Sequence, residues 1–129
     1  MRFLALSILL LAAAVIVPAQ MMSEHNIEAG KSVFVKGSRL TIEFVEVVED
    51  SRCPRYVNCI WAGNAKVKLL VSRGKAAPKE IELNTGIEPR AVTVFGYELM
   101  LKGLTPYPDN SKPSRDTPKA VISVKTVKK

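Results

Sequence analysis

Along most of the chain, hydrophobic and polar residues alternate with a period close to two. Residues 64–72 show it most clearly: Ala65, Val67, Leu69 and Val71 share one parity, Lys66 and Lys68 the other. Successive side chains of a strand point to opposite faces, so this run predicts a strand with one side in the core and one in water. Residues 79–83 repeat the pattern, with Ile81 and Leu83 set against Glu80 and Glu82. Residues 91–95 and 97–101 flank Gly96, and Tyr97, Leu99 and Leu101 give the second of them an apolar face. A short strand is predicted over 31–36, turned by Gly37 and Ser38 into 39–48, and a last one over 120–127 is anchored by Ile122 and Val124. In 39–48 the phase slips, because Leu40, Ile42 and Phe44 lie on one parity and Val45 and Val47 on the other. A bulge near 44–46 would let both sets meet the core; two buried faces would account for the slip equally well.

No sustained helical stripe interrupts these runs. About seven short strands joined by Gly- and Pro-containing connections predict an all-β fold, an antiparallel β-sandwich with Greek-key, immunoglobulin-like connections. A small β-barrel is the alternative, since spacing alone does not separate the two. The stretch 109–119, DNSKPSRDTPK, is polar, carries two prolines and no apolar anchor, and reads as a long loop before the last strand.

The first nineteen residues follow a different rule. Met1 and Arg2 provide a positive start, residues 3–17 form an apolar run, and Val17-Pro18-Ala19 offers compact residues for cleavage. That is the anatomy of a secretory signal peptide, expected to be cut after Ala19 or nearer Met21 and Met22. The rival, a retained anchor, needs about 20 apolar residues. The chain therefore divides into a signal peptide (1–19), a flexible N-terminal segment (20–30) and one β-domain (31–129), with no transmembrane domain after cleavage. The expected location is the periplasm or the exterior.

Charge adds little to this picture. The formal net charge is +7 and is scattered, with a small concentration at Lys125, Lys128 and Lys129. Such a surface favours weak association with anionic polymers or membranes. Clustered basic residues interleaved with aromatics are missing, so no dedicated nucleic-acid site is expected.

Cys53 and Cys59 are the only cysteines and bound the segment CPRYVNC between two strands. In an exported chain an isolated pair is most simply a disulfide. Two sulfurs do not complete a zinc site, and C-x5-C is not the spacing of common dithiol catalysts. Asp50 and Ser51 can accept local backbone N–H groups and fix the turn. Trp61, the only tryptophan, is expected to cover the disulfide or plug one end of the core. Arg52, Arg55 and Tyr56 would project from the constrained loop as a recognition surface, with preorganisation lowering the entropy cost of binding. Tyr107, between two prolines, is a further candidate contact, with burial of its ring the favoured state.

Residues 50–63, DSRCPRYVNCIWAG, resemble a motif shared by small exported bacterial proteins of uncharacterised function. Such proteins often carry an extended strand before the motif, as 40–48 is here, and a later piece resembling GYELMLKGLTPYP at 96–108. The resemblance covers most of 31–127. It implies a periplasmic or cell-envelope protein and brings no assigned chemistry.

The catalytic inventory is thin. His25 is the only histidine and precedes the first expected strand, where a triad would need an ordered scaffold to hold it beside a nucleophile. Met21, Met22 and His25 could bind copper weakly, and Glu49, Asp50 and Asn64 could offer oxygens to calcium, but no metal-loop pattern accompanies them. Glu43, Glu46, Glu49 and Asp50 do not keep to one strand face, as a glycosidase pair across a cleft would need to. They read instead as a solvated edge or as partners for Lys66 and Lys68. No metal site, cofactor or catalytic residue is therefore expected. The expected function is that of an exported non-enzymatic β-domain binding an envelope protein or a surface ligand through the Cys53–Cys59 loop. The binding candidates are Arg52, Arg55, Tyr56, Trp61 and Tyr107. The alternatives are a trypsin-like protease inhibitor using Arg55 and, less favoured, a small envelope enzyme. Nothing in the pattern sets an oligomeric state.

Overall fold

The computed structural model describes residues 13–15, 22–109 and 115–127. Residues 13–15 are irregular and exposed; the rest of the expected leader, and residues 110–114 of the expected long loop, lie outside the described residues. Eight strands follow in order: β1 (Met22–Glu28), β2 (Ser32–Val35), β3 (Leu40–Asp50), β4 (Ala65–Arg73), β5 (Lys79–Asn84), β6 (Ala91–Val94), β7 (Tyr97–Thr105) and β8 (Lys119–Thr126). They form two four-stranded antiparallel sheets, ordered β1-β8-β7-β6 and β2-β3-β4-β5. The fold is the expected β-sandwich, and the two sheets do not close into a barrel. Its wiring is more local than the Greek-key order. Strands β2 to β5 form one meander, β6 to β8 another, and β1 completes the second sheet beside β8.

Strand β1 accounts for the eighth strand and corrects the expectation of a flexible segment over 20–30. Met22 to Glu28 pair residue by residue with Lys125 to Lys119. MSEHNIE carries a single strong apolar residue, Ile27, which is buried in the core. Its period-two signal is correspondingly faint, and the strand is held by ladder hydrogen bonds to β8.

Elsewhere the alternation becomes burial directly. Ala65, Val67, Leu69 and Val71 of β4 are all buried and share one core with Ile42, Phe44 and Leu83 of the neighbouring strands and Leu99, Ile122 and Val124 of the other sheet. Burying a side chain of Leu, Ile or Phe size stabilises a fold by about 1.5–3 kcal/mol, so this layer dominates its energetics. The phase slip in β3 is a bulge, as one of the two expected solutions required: Phe44 pairs with Leu69 and Glu46 with Lys68, leaving Val45 as the extra residue. The correction brings Val47 opposite Val67 and against the core, while Val45 stays exposed. A second shift between Val47 and Glu49 leaves Val48 exposed and bends the strand where it enters the cysteine loop. On the outer face of this sheet, the Lys68 amine lies 3.7 Å from Glu80 and 3.4 Å from Glu46. Glu80, then Glu46, hold its pKa above the ordinary lysine value.

The two ends of the sandwich differ. At one end the connections are tight. Phe95 and Gly96 both have positive φ between β6 and β7, as a two-residue type I′ hairpin requires. Ser38 closes the β2–β3 turn by donating to the Val35 carbonyl and accepting from the Leu40 amide. At the other end the three long connections, residues 51–64, 85–90 and 106–118, leave together.

Candidate functional site

The 51–64 connection has a closed neck. The Ser51 amide donates to the Asn64 carbonyl at 2.7 Å, and the Asn64 amide donates back to the Ser51 hydroxyl at 3.1 Å. Gly63 makes this approach possible. Its φ is 74°, and a Cβ there would collide with the Ser51 carbonyl oxygen and the Arg52 Cα. The neighbouring connection is bonded to the same neck. Buried Asn64 donates to Asn84 at 2.9 Å, the Gly86 amide donates to Asn64 Oδ1 at 2.9 Å, and Asn84 donates to the Pro89 carbonyl at 3.0 Å. These bonds satisfy polar groups that burial would otherwise penalise.

Arg52 then ties the neck to the opposite sheet. Its Nε and Nη2 donate in a fork to the two Asp50 carboxylate oxygens, at 2.9 and 2.8 Å. Nη1 donates to the Leu104 carbonyl at 2.6 Å and Nη2 to the Pro106 carbonyl at 2.9 Å, both at the end of β7. The guanidinium lies 4.3 Å from the centre of the Tyr107 ring. Arg52 is 6% exposed. The planar fork of arginine suits this geometry, and a buried cation tolerates burial only when paired and hydrogen-bonded in this way.

Beyond the neck stands the tip. Cys53 and Cys59 are joined as a disulfide. The Arg55 amide donates to the Pro108 carbonyl at 2.9 Å, so the loop also rests on the segment after β7. Arg55 and Tyr56 form a turn, with Tyr56 at a φ of 63°. From this fixed base the tip shows apolar side chains to solvent: Tyr56 and Ile60 are each 96% exposed, Trp61 is 65% exposed and Val57 is exposed as well. Ile87, on the connection bonded to the neck, is also exposed.

The five binding candidates therefore separate. Arg55, Tyr56 and Trp61 are on the surface of the tip. Arg52 does not project with them; its guanidinium turns inward, where Asp50 and the carbonyls of β7 satisfy all three of its nitrogens. Trp61 does not plug the core; its side chain is 65% exposed. Tyr107 is exposed at 48% rather than buried as expected, with one face on Arg52. Asp50 and Ser51 fix the turn as expected, through the Arg52 amide and the Asn64 amide. Ile60 and Val57 were absent from the candidates. The signal that could have found them is a run, 51–63, with no acidic residue and several large apolar ones at a strand-to-strand crossing.

No family model, curated protein or solved structure matches the chain. The site must therefore be read from its own chemistry.

Beside the neck lies a cleft of about 440 Å³, lined by Val47, Asp50, Arg52, Leu104, Tyr107 and Asp116 among others. Its most conspicuous charges, Asp50 and Arg52, are committed to each other. Among the described residues no group of three or more His, Cys, Asp or Glu side chains is placed to hold a metal ion. Among them, too, no helix is long and apolar enough to cross a membrane. His25 lies in the middle of β1, opposite Ile122, and shares a 3.0 Å hydrogen bond with Ser23.

Proposed function

We propose that the protein is an exported, non-enzymatic β-domain that recognises an envelope component through the tip of its Cys53–Cys59 loop. One observation carries this reading: a loop braced at its neck by Arg52 and cross-linked at its tip holds Tyr56, Ile60 and Trp61 out in water. Large apolar side chains normally gain by burial, and concentrated exposure of them marks interaction sites. Bracing lowers the ordering cost of association. The apolar leader of the sequence and the disulfide support export, and the resemblance of 50–63 to a motif of small exported bacterial proteins supports the periplasm or cell envelope.

Protease inhibition through Arg55 has less support. A protease cleft takes its chain in extended form, whereas Arg55 and Tyr56 form a turn with Tyr56 in the left-handed region. The enzyme alternative gains little from the cleft, whose Asp50 carboxylate is occupied by three bonds from Arg52.

The test is photocrosslinking in intact envelopes, with a photoreactive amino acid placed at position 56 and, as control, at position 82 on the charged outer face. Reproducible capture of one envelope component from position 56 and none from 82 supports recognition by the tip. Equal or absent capture at both positions overturns it.

A further inference from the structure

The exposed tip has a chemistry that narrows what it meets. Between Asp50 at the end of β3 and the start of β4, the run 51–63 contains two arginines and no acidic residue. Of the two acids at the end of β3, Asp50 is paired with Arg52 at 2.8 Å and Glu49 is exposed. What reaches solvent is Tyr56, Val57, Ile60 and Trp61 with a single exposed cation, Arg55. Tyr and Trp combine an apolar ring with a polar edge and concentrate where hydrocarbon meets water at membrane surfaces. A cation beside them matches lipid phosphates, and the chain as a whole carries +7.

Size points the same way. A stable protein–protein interface engages about 20–30 residues on each side. The tip offers four large apolar side chains on a convex, cross-linked loop, too few for such an interface and enough for a small wedge entering a lipid surface. We propose that the tip docks the domain on an anionic phospholipid bilayer, with Trp61, Ile60 and Tyr56 entering the interfacial region and Arg55 on the phosphates. This rests on the recognition reading above and names its occupant.

Trp61 is the only tryptophan, so the intrinsic fluorescence of the full chain, expressed with its own leader, reports on the tip alone. The probe is vesicles of equal parts phosphatidylglycerol and phosphatidylethanolamine, with pure phosphatidylcholine as comparison. The expected result is a blue shift of Trp61 emission and its quenching by brominated acyl chains, with anionic vesicles only and weakening as salt is added. Ile60→Asp should reduce vesicle partition roughly tenfold or more, the loss expected when one buried aliphatic side chain is replaced by a charge. Ile60 is 96% exposed, so this variant leaves the core untouched. Arg55→Glu should weaken binding several-fold and flatten its salt dependence. Unshifted emission with anionic vesicles at low salt overturns the proposal, as does equal binding to phosphatidylcholine. If emission is unshifted while position 56 still captures one protein in the envelope, the lipid inference falls and recognition stands. If both experiments fail, both readings fall.

Discussion

Arg52 and Arg55 lie in the same loop, one on each side of Cys53 and Pro54, and have opposite fates. Arg52 is buried, forked onto Asp50 and bonded to the Leu104 carbonyl of the other sheet and the Pro106 carbonyl just beyond it. Arg55 keeps its side chain at the surface and contributes its backbone amide to Pro108. The first makes the neck part of the sandwich; the second belongs to a tip whose side chains are free to meet something else. Residue type does not distinguish them. Their surroundings do: Arg52 follows β3 directly and so reaches across to β7, while Arg55 sits past Pro54 on the outside of the cross-linked loop.

Substitution by alanine should separate the two most sharply. Arg52→Ala removes the partner of Asp50 and the donors of the Leu104 and Pro106 carbonyls. Arg52 is buried but Asp50 is open to solvent, so the loss should lie at or below the low end of the about 3–5 kcal/mol that breaking a fully buried pair costs. Arg55→Ala, with no side-chain partner to strand, should stay within about 0.5 kcal/mol of the native protein. Urea unfolding of the two variants measures both, and equal values would dissolve the distinction between neck and tip.

Gly63→Ala attacks the neck through its backbone. A left-handed φ costs a non-glycine residue roughly 1–2 kcal/mol, and overpacking adds about 1–3 kcal/mol. The added Cβ has to displace the Ser51 carbonyl, so the Ser51–Asn64 bonds should open with it. Faster amide exchange at Ser51 and Asn64, with β6 to β8 unchanged, would show the damage confined to the neck. A variant as stable as the native protein would mean the neck is not tight.

The disulfide belongs to the tip, and its removal should act there. Closing a loop as short as residues 53–59 is worth roughly 2 kcal/mol on chain-entropy grounds. Replacing Cys53 and Cys59 by Ser should therefore lower stability by about that amount at most, since Arg52 and the Arg55 amide still hold the loop. The larger change should appear as mobility of Tyr56 to Trp61. Loss of the whole fold would place the bridge in the neck instead.

The difference between neck and tip also explains what could be read along the chain. The period-two runs of β4, β5, β7 and β8 follow from a single buried face, whereas the slip in β3 left a bulge and two buried faces equally open until the pairing with β4 showed the bulge beside Phe44. Strand β1 was hidden because MSEHNIE offers one apolar anchor, Ile27, and its pairing with β8 closes the chain from its far end. In the site, the cross-link between Cys53 and Cys59 and the turn role of Asp50 and Ser51 were legible from local spacing. The burial of Arg52 was not, because its acceptors, Leu104 and Pro106, are far along the sequence and are backbone carbonyls, which carry no side-chain signature. Trp61 misled in another way: a lone tryptophan is usually drawn at least partly into a core, and here it stands 65% exposed on the tip.

The smallest effect lies at the same end of the sandwich and contrasts the pair formed by buried Arg52 with one whose two members are both open to solvent. Lys31 donates to Glu28 at 2.8 Å, and Lys119 lies 3.8 Å from the same carboxylate. Hydrogen bonding and charge from Lys31, with a lesser contribution from Lys119, hold the Glu28 pKa below its ordinary value; Glu28 raises that of Lys31 above its own. The lowered carboxyl contributes stability above the ordinary glutamate range and loses it as pH falls through the folded value. The raised amine contributes below the ordinary lysine range and loses it as pH rises through the folded value. The difference in Tm between the native protein and Lys31→Ala should therefore be flat across neutral pH and vanish in both strong acid and strong alkali. It should be small throughout and shrink with added salt, because both groups stand in water. A difference that persists in acid after Glu28 is protonated would show that Lys31 acts through packing rather than charge. The exposed pair would then resemble Arg52 more closely than its surroundings imply.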